Sequence, residues 1–278
     1  MKTQTKKKNN NPNELIGKTF NRIRSEKRAA FVAYITAGDP DAKRCIQIAD
    51  ALVEAGIDIL ELGVPFSDPL ADGEANQLAA GRAIAAGVTP VGVLDIAKAI
   101  RKKHPTLPIV LFTYINPVAH SVCFGGYCRE AALCGVNAIL PLDLPPEEAD
   151  GYRGHIDNAG LGFVNLVAPT TSERRMKQLV ASATAFVYYV AQEGVTGERK
   201  TFASGVSERI AMIKKHTSLP VVVGFGISSP EHVKEAAATG VDGVVVGSAI
   251  VRKVEAFAKG QGSIDDIRGF VKKLRKAL

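Results

Sequence analysis

The sequence has no tryptophan and only four cysteines, Cys45, Cys123, Cys128 and Cys134. No two cysteines form a Cys-x-x-Cys pair, which favours free thiols in a reducing cytosol over a disulfide framework or a zinc site. The histidines include no His-Glu-x-x-His pattern, the spacing that places two metal ligands on one helix face. We therefore expect no bound metal and a cytoplasmic protein.

Long apolar runs are also absent. The longest are far too short to span a bilayer, and the N-terminus lacks the apolar stretch of a secretion signal, so we expect no membrane association. Residues 1–12 contain four lysines and no acidic residue, a composition that predicts a disordered basic tail. A second basic cluster lies at residues 272–276, so much of the net charge of +7 belongs to the two ends. Solvated ends are favoured here over nucleic-acid binding.

No linker or change of composition interrupts the remaining chain, so residues 13–278 are predicted to form a single domain. Apolar runs alternate with helical patterns, and eight strands are predicted at residues 30–36, 57–62, 108–113, 138–142, 163–167, 185–190, 220–224 and 243–246. Runs that are apolar on both faces are typical of parallel strands covered by helices. Eight such units predict a (β/α)8 barrel. A doubly wound sheet is the alternative, and the number of units argues against it.

Two local patterns near the N-terminus add detail to this barrel. Ile16, Phe20 and Ile23 recur at helical spacing, which predicts an extra N-terminal helix covering one end of the fold. Asp39 precedes Pro40 after the first strand. This pair predicts a helix with Asp39 as its N-cap and proline at its first position.

The most informative stretch is Glu-Leu-Gly-Val-Pro-Phe-Ser-Asp-Pro-Leu-Ala-Asp-Gly at residues 61–73. Glu61 ends an apolar strand, and the next twenty residues contain no cation, the nearest in sequence being Arg44 and Arg82. Burial without a cation would raise the pKa of Glu61, as suits a general acid. Asp72 lies on the following loop, and two such carboxylates can divide acid and base work. Asp72 precedes glycine, so an ordinary turn explains it equally well.

Glycines after the last three strands form the second signal. Gly197, Gly226 and Gly247 let backbone amides approach an anion, and Ser248 adds a hydroxyl at a helix start. Barrels frequently bind phosphate at this position. Gly226 alone would be read as a turn residue, but the group together favours a phosphate site. There is no Walker lysine, which excludes a nucleotide P-loop.

The 61–73 string and these glycines strongly resemble the α subunit of tryptophan synthase, and the similarity extends over residues 15–274. The resemblance implies a retro-aldol cleavage of indole-3-glycerol phosphate to indole and glyceraldehyde 3-phosphate, with no cofactor in this chain. It assigns Glu61 as the acid/base at indole C3 and at the glycerol hydroxyl. It assigns Asp72 to the indole N–H and Tyr188 to the geometry of the catalytic carboxylate.

The same resemblance implies how the substrate is held. Tyr34 and Phe225 would flank the indole, and Thr196 would close a loop over the site. The phosphate would be bound by the group already named, Gly197, Gly226, Gly247 and Ser248.

The resemblance further implies a β subunit that carries pyridoxal phosphate and receives indole through a tunnel in an α2β2 heterotetramer. Asp68, Pro69 and Asn116 are the expected interface residues. Glu74 departs from the family, which usually has proline there. Glu74 either loosens the loop and changes the dependence on the partner, or simply opens the next helix. The helical pattern of residues 76–80 favours the second.

Two other functions remain open at this point. Another phosphate-binding barrel, such as a sugar-phosphate epimerase or isomerase, would not carry the 61–73 string. A catalytically weak subunit that only activates a β partner would carry the same motifs.

Overall fold

The fold is built on one parallel sheet whose two ends meet. The computed structural model describes residues 12–121, 123–191, 199–224 and 226–278. In these ranges the strands are β1 (Ala30–Thr36), β2 (Ile59–Gly63), β3 (Ile109–Thr113), β4 (Ala138–Pro141), β5 (Gly162–Phe163), β6 (Asn165–Val167), β7 (Val187–Val190), β8 (Val221–Gly224) and β9 (Gly243–Val246). Their order is β5-β4-β3-β2-β1-β9-β8-β7-β6, and every pairing is parallel.

Closure of the sheet depends on β5 and β6. Only Val164 separates them, and its amide donates a hydrogen bond to the carbonyl of Ile139 in β4 at 3.0 Å. The two pieces are therefore one strand, β5 pairing with β4 and β6 with β7. The predicted eight-stranded barrel is confirmed, and a doubly wound sheet is excluded.

Helices surround this barrel. Those in the described ranges are α1 (Glu14–Ser25), α2 (Ala42–Glu54), α3 (Glu74–Ala85), α4 (Pro90–Lys103), α5 (Ile115–Ser121), α6 (Phe124–Leu133), α7 (Ala149–Asn158), α8 (Glu173–Ser182), α9 (Arg199–Lys214), α10 (Pro230–Ala238), α11 (Ser248–Ala258) and α12 (Ile264–Arg275). Within the described chain no single helix is long and apolar enough to cross a membrane. The α3–α4 pair passes that test of length and composition only as two helices bent by 96°.

Helix α1 closes the amino-terminal end of the barrel. Ile16, Phe20 and Ile23 are buried among the inward-facing residues of the strands. The ring of Phe20 packs against Phe186, with centroids 6.0 Å apart. The predicted extra N-terminal helix is therefore present, and its apolar face fills the bottom of the barrel. Residues 1–11 of the predicted tail lie outside the described residues.

The start of α2 differs from the prediction. Asp41, not Asp39, caps this helix and accepts a hydrogen bond from the amide of Arg44 at 2.8 Å. The prediction for Asp39 was wrong because the chain stays non-helical for two further residues and offers a second aspartate at the true helix start. Asp39 is buried and instead accepts two hydrogen bonds from Arg82, each at 2.8 Å.

Alternate residues of each strand point into the barrel, and their character changes along its axis. The lower interior is apolar and includes Val32, Ile59 and Val110. One step further toward the strand ends, Tyr34 on β1 lies in register with Glu61 on β2. The parallel arrangement therefore brings the polar residues of several strands to the carboxyl-terminal mouth of the barrel.

Candidate active site

Glu61 is the most unusual residue in the barrel mouth. Its side chain is fully buried, and neither carboxylate oxygen has a hydrogen-bond partner among the described residues. The nearest arginines in sequence bond elsewhere, Arg44 to Asp41 and Arg82 to Asp39. Burial raises the pKa of Glu61 to about 8, because the charged form loses its hydration with no compensating donor. At neutral pH the residue is therefore mainly a neutral carboxylic acid.

Asp72 is a carboxylate in a different environment. It lies in the loop between β2 and α3, where it accepts hydrogen bonds from the Tyr114 hydroxyl at 3.0 Å and the Asn76 amide at 3.2 Å. Burial raises the pKa of Asp72, while the bonds from Asn76 and Tyr114 oppose the rise. The two carboxyl groups thus differ in the way that acid/base pairs require: one lacks donors and the other has two.

Tyr114 is a further residue of the site, to which the sequence analysis assigned no role. Its hydroxyl donates to Asp72 and accepts from the amide of Ala71 at 2.9 Å, and its ring packs against Phe66. Burial and the charge of Asp72 both raise the pKa of Tyr114, so it remains a protonated donor. The alternation of inward and outward residues along β3 predicts that Tyr114 faces the barrel interior, since it continues the inward-facing series of Val110 and Phe112.

Tyr34 and Tyr188 line the mouth around Glu61. The Tyr34 ring is buried and meets Phe112 edge-on, with centroids 4.9 Å apart, and its hydroxyl lies 3.3 Å from that of Thr36. The hydroxyl of Tyr188 lies over Gly224, where a β-carbon would come within 1.8 Å of it. After burial itself, the charge of Glu61 is the main cause that raises the pKa of Tyr188. The charge of Glu61 also contributes to raising the pKa of Tyr34, so both tyrosines lie within electrostatic reach of this carboxyl.

The glycines of the predicted phosphate site lie at the ends of β8 and β9. Gly226 follows β8 with a φ of +25°, and Gly247 is the N-cap of α11, which begins at Ser248. Gly247 provides no side-chain cap for this helix, and backbone amides in the first turn of a helix can bind an anion. Thr196, Gly197 and Phe225, which the sequence also assigned to substrate binding, lie outside the described residues.

The predicted interface residues are found on the outer part of the mouth. Asp68 and Asn116 are exposed and Pro69 is half-buried. Leu70 beside them is 93% exposed, the largest exposure of any large apolar side chain in the described chain. The bond between Tyr114 and the Ala71 amide joins the loop that carries Asp68 and Pro69 to the residue before α5, the helix that carries Asn116.

Glu74 is the first residue of α3 and is exposed to solvent. A negative side chain in the first turn of a helix stabilises it by roughly 0.3–1 kcal/mol. Its position supports the interpretation in which Glu74 opens the helix. In the same described ranges, no group of three His, Cys, Asp or Glu side chains has the geometry to hold a metal ion; the absence of a bound metal stays a prediction.

The closed barrel, the neutral buried carboxyl and the second carboxylate define an acid–base enzyme of the (β/α)8 class. Residues 20–278 match the family model for the tryptophan synthase alpha chain. The alpha chain of Opitutus terrae is 47% identical over 237 residues, 85% of this chain and 88% of that protein. The alpha chain of Phenylobacterium zucineum is 42% identical over 266 residues, 95% of each. The crystal structure of the Legionella pneumophila alpha chain has a TM-score of 0.86 at 32% identity, covering 95% of this chain and 96% of that one.

The chain belongs to the tryptophan synthase alpha chain family. Members of this family are carbon–carbon lyases that cleave indole-3-glycerol phosphate, and they work with a β subunit.

The raised pKa of Glu61 predicts a pH-dependent effect of Glu61→Gln on stability. Below about pH 4.5 the carboxyl is protonated in both the folded and the unfolded chain, so its ionisation contributes nothing. Between 4.5 and about 8 the unfolded chain ionises while the folded chain stays neutral. The parent should therefore lose stability relative to the variant by about 1.4 kcal/mol per pH unit in this window, and no further above it.

Denaturant unfolding of both proteins from pH 4 to 9 measures this difference. Glu208→Gln, at an exposed position on α9, is the matched control and should show no comparable slope. A parent–variant difference that is independent of pH would contradict the raised pKa.

Proposed function

We propose that this chain cleaves indole-3-glycerol phosphate with Glu61 as the acid/base and Asp72 as the carboxylate that binds the indole N–H. The observation that carries the proposal is the buried Glu61 carboxyl, which has no partner in the described chain and a pKa raised to about 8. A group with a pKa near the working pH can both donate and accept a proton.

The reaction requires one proton to move from oxygen to carbon. Neutral Glu61 gives its proton to C3 of the indole ring, which becomes a cationic iminium centred on the ring nitrogen. The Glu61 carboxylate then removes the proton of the adjacent glycerol hydroxyl. The bond between C3 and the glycerol carbon breaks, its electrons return to the ring, and indole and glyceraldehyde 3-phosphate are formed. Glu61 ends the cycle protonated, as it began.

Asp72 stabilises the cationic state between these two proton transfers. Its carboxylate accepts a hydrogen bond from the indole N–H. The positive charge on the indole nitrogen develops only after protonation at C3. Tyr114 and Asn76 hold the carboxylate in one orientation, so little reorganisation is needed when the charge appears. Because the charge is absent from the bound substrate, this interaction favours the transition state over the ground state.

The walls of the mouth suit the two ends of the substrate. Tyr34, Phe112 and the half-buried Leu166 present aromatic and apolar surface for the indole. Gly226, Gly247 and Ser248 offer backbone amides and a hydroxyl to the phosphate, with Gly197 as a further predicted contact. Tyr188, packed over Gly224, limits the positions that the Glu61 carboxyl can take. The proposal also includes Phe225, which would pack against the indole, and Thr196, which would close a loop over the site.

The proposed partner is a β subunit that carries pyridoxal phosphate and receives the indole, in an α2β2 assembly in the cytoplasm. This chain needs no cofactor for its own step, since both proton transfers use one side chain. The exposed Asp68, Asn116 and Leu70 beside the mouth support this docking position. A chain in the tryptophan synthase structure of Mycobacterium tuberculosis has a TM-score of 0.84 at 31% identity, covering 94% of this chain.

Glu61→Gln should abolish cleavage and leave the fold intact. Glutamine has nearly the shape of glutamic acid but cannot transfer the proton, and loss of such a group costs about 10²–10⁴-fold or more in rate. Indole release from indole-3-glycerol phosphate, with and without a β subunit, measures the effect, and Glu208→Gln is the control. More than half of the parent rate in Glu61→Gln would remove Glu61 from the mechanism. No indole release by the parent with the β subunit would refute the proposed function.

Ser248→Ala should raise KM for indole-3-glycerol phosphate while leaving most of kcat. A hydrogen bond to a charged group contributes about 1.5–3 kcal/mol, which corresponds to roughly 10–100-fold in KM. Ser263→Ala removes the N-cap of another helix, α12, and should lower the melting temperature without changing KM. An unchanged KM in Ser248→Ala would place the phosphate elsewhere.

A further inference from the structure

Helices α3 and α11 connect the two ends of the site. Helix α3 begins directly after the loop that carries Asp72, and α11 begins at Ser248 of the proposed phosphate site. The two helices pack together beside the end of β1, where Ala79 of α3 and Val251 of α11 share a buried cluster with Tyr34. The position of one helix against the other therefore determines how far the Asp72 end lies from the phosphate end.

Arg82 joins these elements with its charged side chain. Its guanidinium donates two hydrogen bonds at 2.8 Å to Asp39, in the loop after β1, and forms an ion pair at 3.7 Å with Glu255 of α11. Asp39 is only 3% exposed, and its hydrogen bonds raise the pKa of Arg82, so the guanidinium remains charged. A bidentate arginine–carboxylate pair of this kind fixes the relative orientation of the two side chains as well as their distance. Arg82 thus holds α3 against both β1 and α11.

We propose that Arg82 is a positioning residue for the lyase reaction, which sets the separation between the Asp72 end and the phosphate end of the site. The inference rests on the proposed function. The indole and the phosphate of the substrate are joined by a short chain of three carbons. Both ends can be bound with C3 next to Glu61 only if the two subsites are correctly spaced. A misplacement of about 1 Å far from the chemistry costs on the order of 10²-fold in rate.

This role predicts that Arg82→Met weakens a linked ligand but not its separate parts. We would measure by calorimetry the binding of glycerol phosphate, of indole, and of an indole joined to phosphate by a three-carbon chain. Each fragment uses one end of the site, so its Kd should change by less than about twofold. The linked ligand depends on the spacing, so its Kd should rise roughly tenfold and kcat should fall by at least as much. Arg82→Lys keeps the charge but cannot form the bidentate pair, so it should recover part of the lost affinity for the linked ligand and part of the lost kcat.

Two further variants separate positioning from stability. Asp39→Asn/Arg82→Met removes both charges, so that no buried carboxylate is left unpaired, and it should show the same split between linked and separate ligands. Arg268→Met is the control, since Arg268 also joins two helices, pairing α12 with Glu54 of α2 at 2.7 Å. It should leave all three Kd values and kcat unchanged.

An unchanged Kd for the linked ligand in Arg82→Met, or an equal loss for all three ligands, would overturn the positioning role. The proposed function is tested separately, on the parent alone. It fails if the parent binds the linked ligand no better than the fragments and releases no indole with a β subunit.

Discussion

The structure depends on keeping one carboxyl group, that of Glu61, buried away from water. A buried ionised carboxylate without a partner is too unfavourable to persist, so a protein that buries one keeps it neutral by raising its pKa. Glu61 meets this condition at the centre of the barrel mouth. The proposed chemistry follows from it, because a proton held at a pKa near neutrality can be given to carbon and recovered from oxygen in the same cycle.

The barrel supplies the apolar surroundings that this carboxyl requires. Helix α1 fills the amino-terminal end, the lower strand residues form an apolar interior, and aromatic rings line the mouth. Several polar side chains of the mouth and of the helices beside it bond to other partners: Tyr114 bonds to Asp72, Tyr34 to Thr36, and Arg82 to Asp39. Among the described residues, these donors therefore serve the second carboxylate and the loops, and the Glu61 carboxyl receives no hydrogen bond.

Much of the fold could be predicted from the sequence, since each strand is a short apolar run followed by a helical pattern. The position of Glu61 followed from the same reasoning, because strand ends in a parallel barrel share one face. Helix α5 was not predicted, because it is short and contains Pro117, although the first turn of a helix tolerates proline. Tyr114 was not assigned to Asp72, because their contact spans 42 positions in sequence. The pairing of Asp39 with Arg82 was missed for the same reason, and local capping preferences pointed to a different role. Such long-range contacts depend on how the strands are arranged around the barrel. The local sequence pattern does not contain this arrangement.

The protonation state of Glu61 near pH 7 can be measured by NMR titration of glutamate labelled with carbon-13 at the side-chain carboxyl, with Glu61→Gln used to assign the signal. If burial keeps Glu61 neutral, its signal should titrate with a midpoint near pH 8. A midpoint near the ordinary value of 4.5 would contradict it.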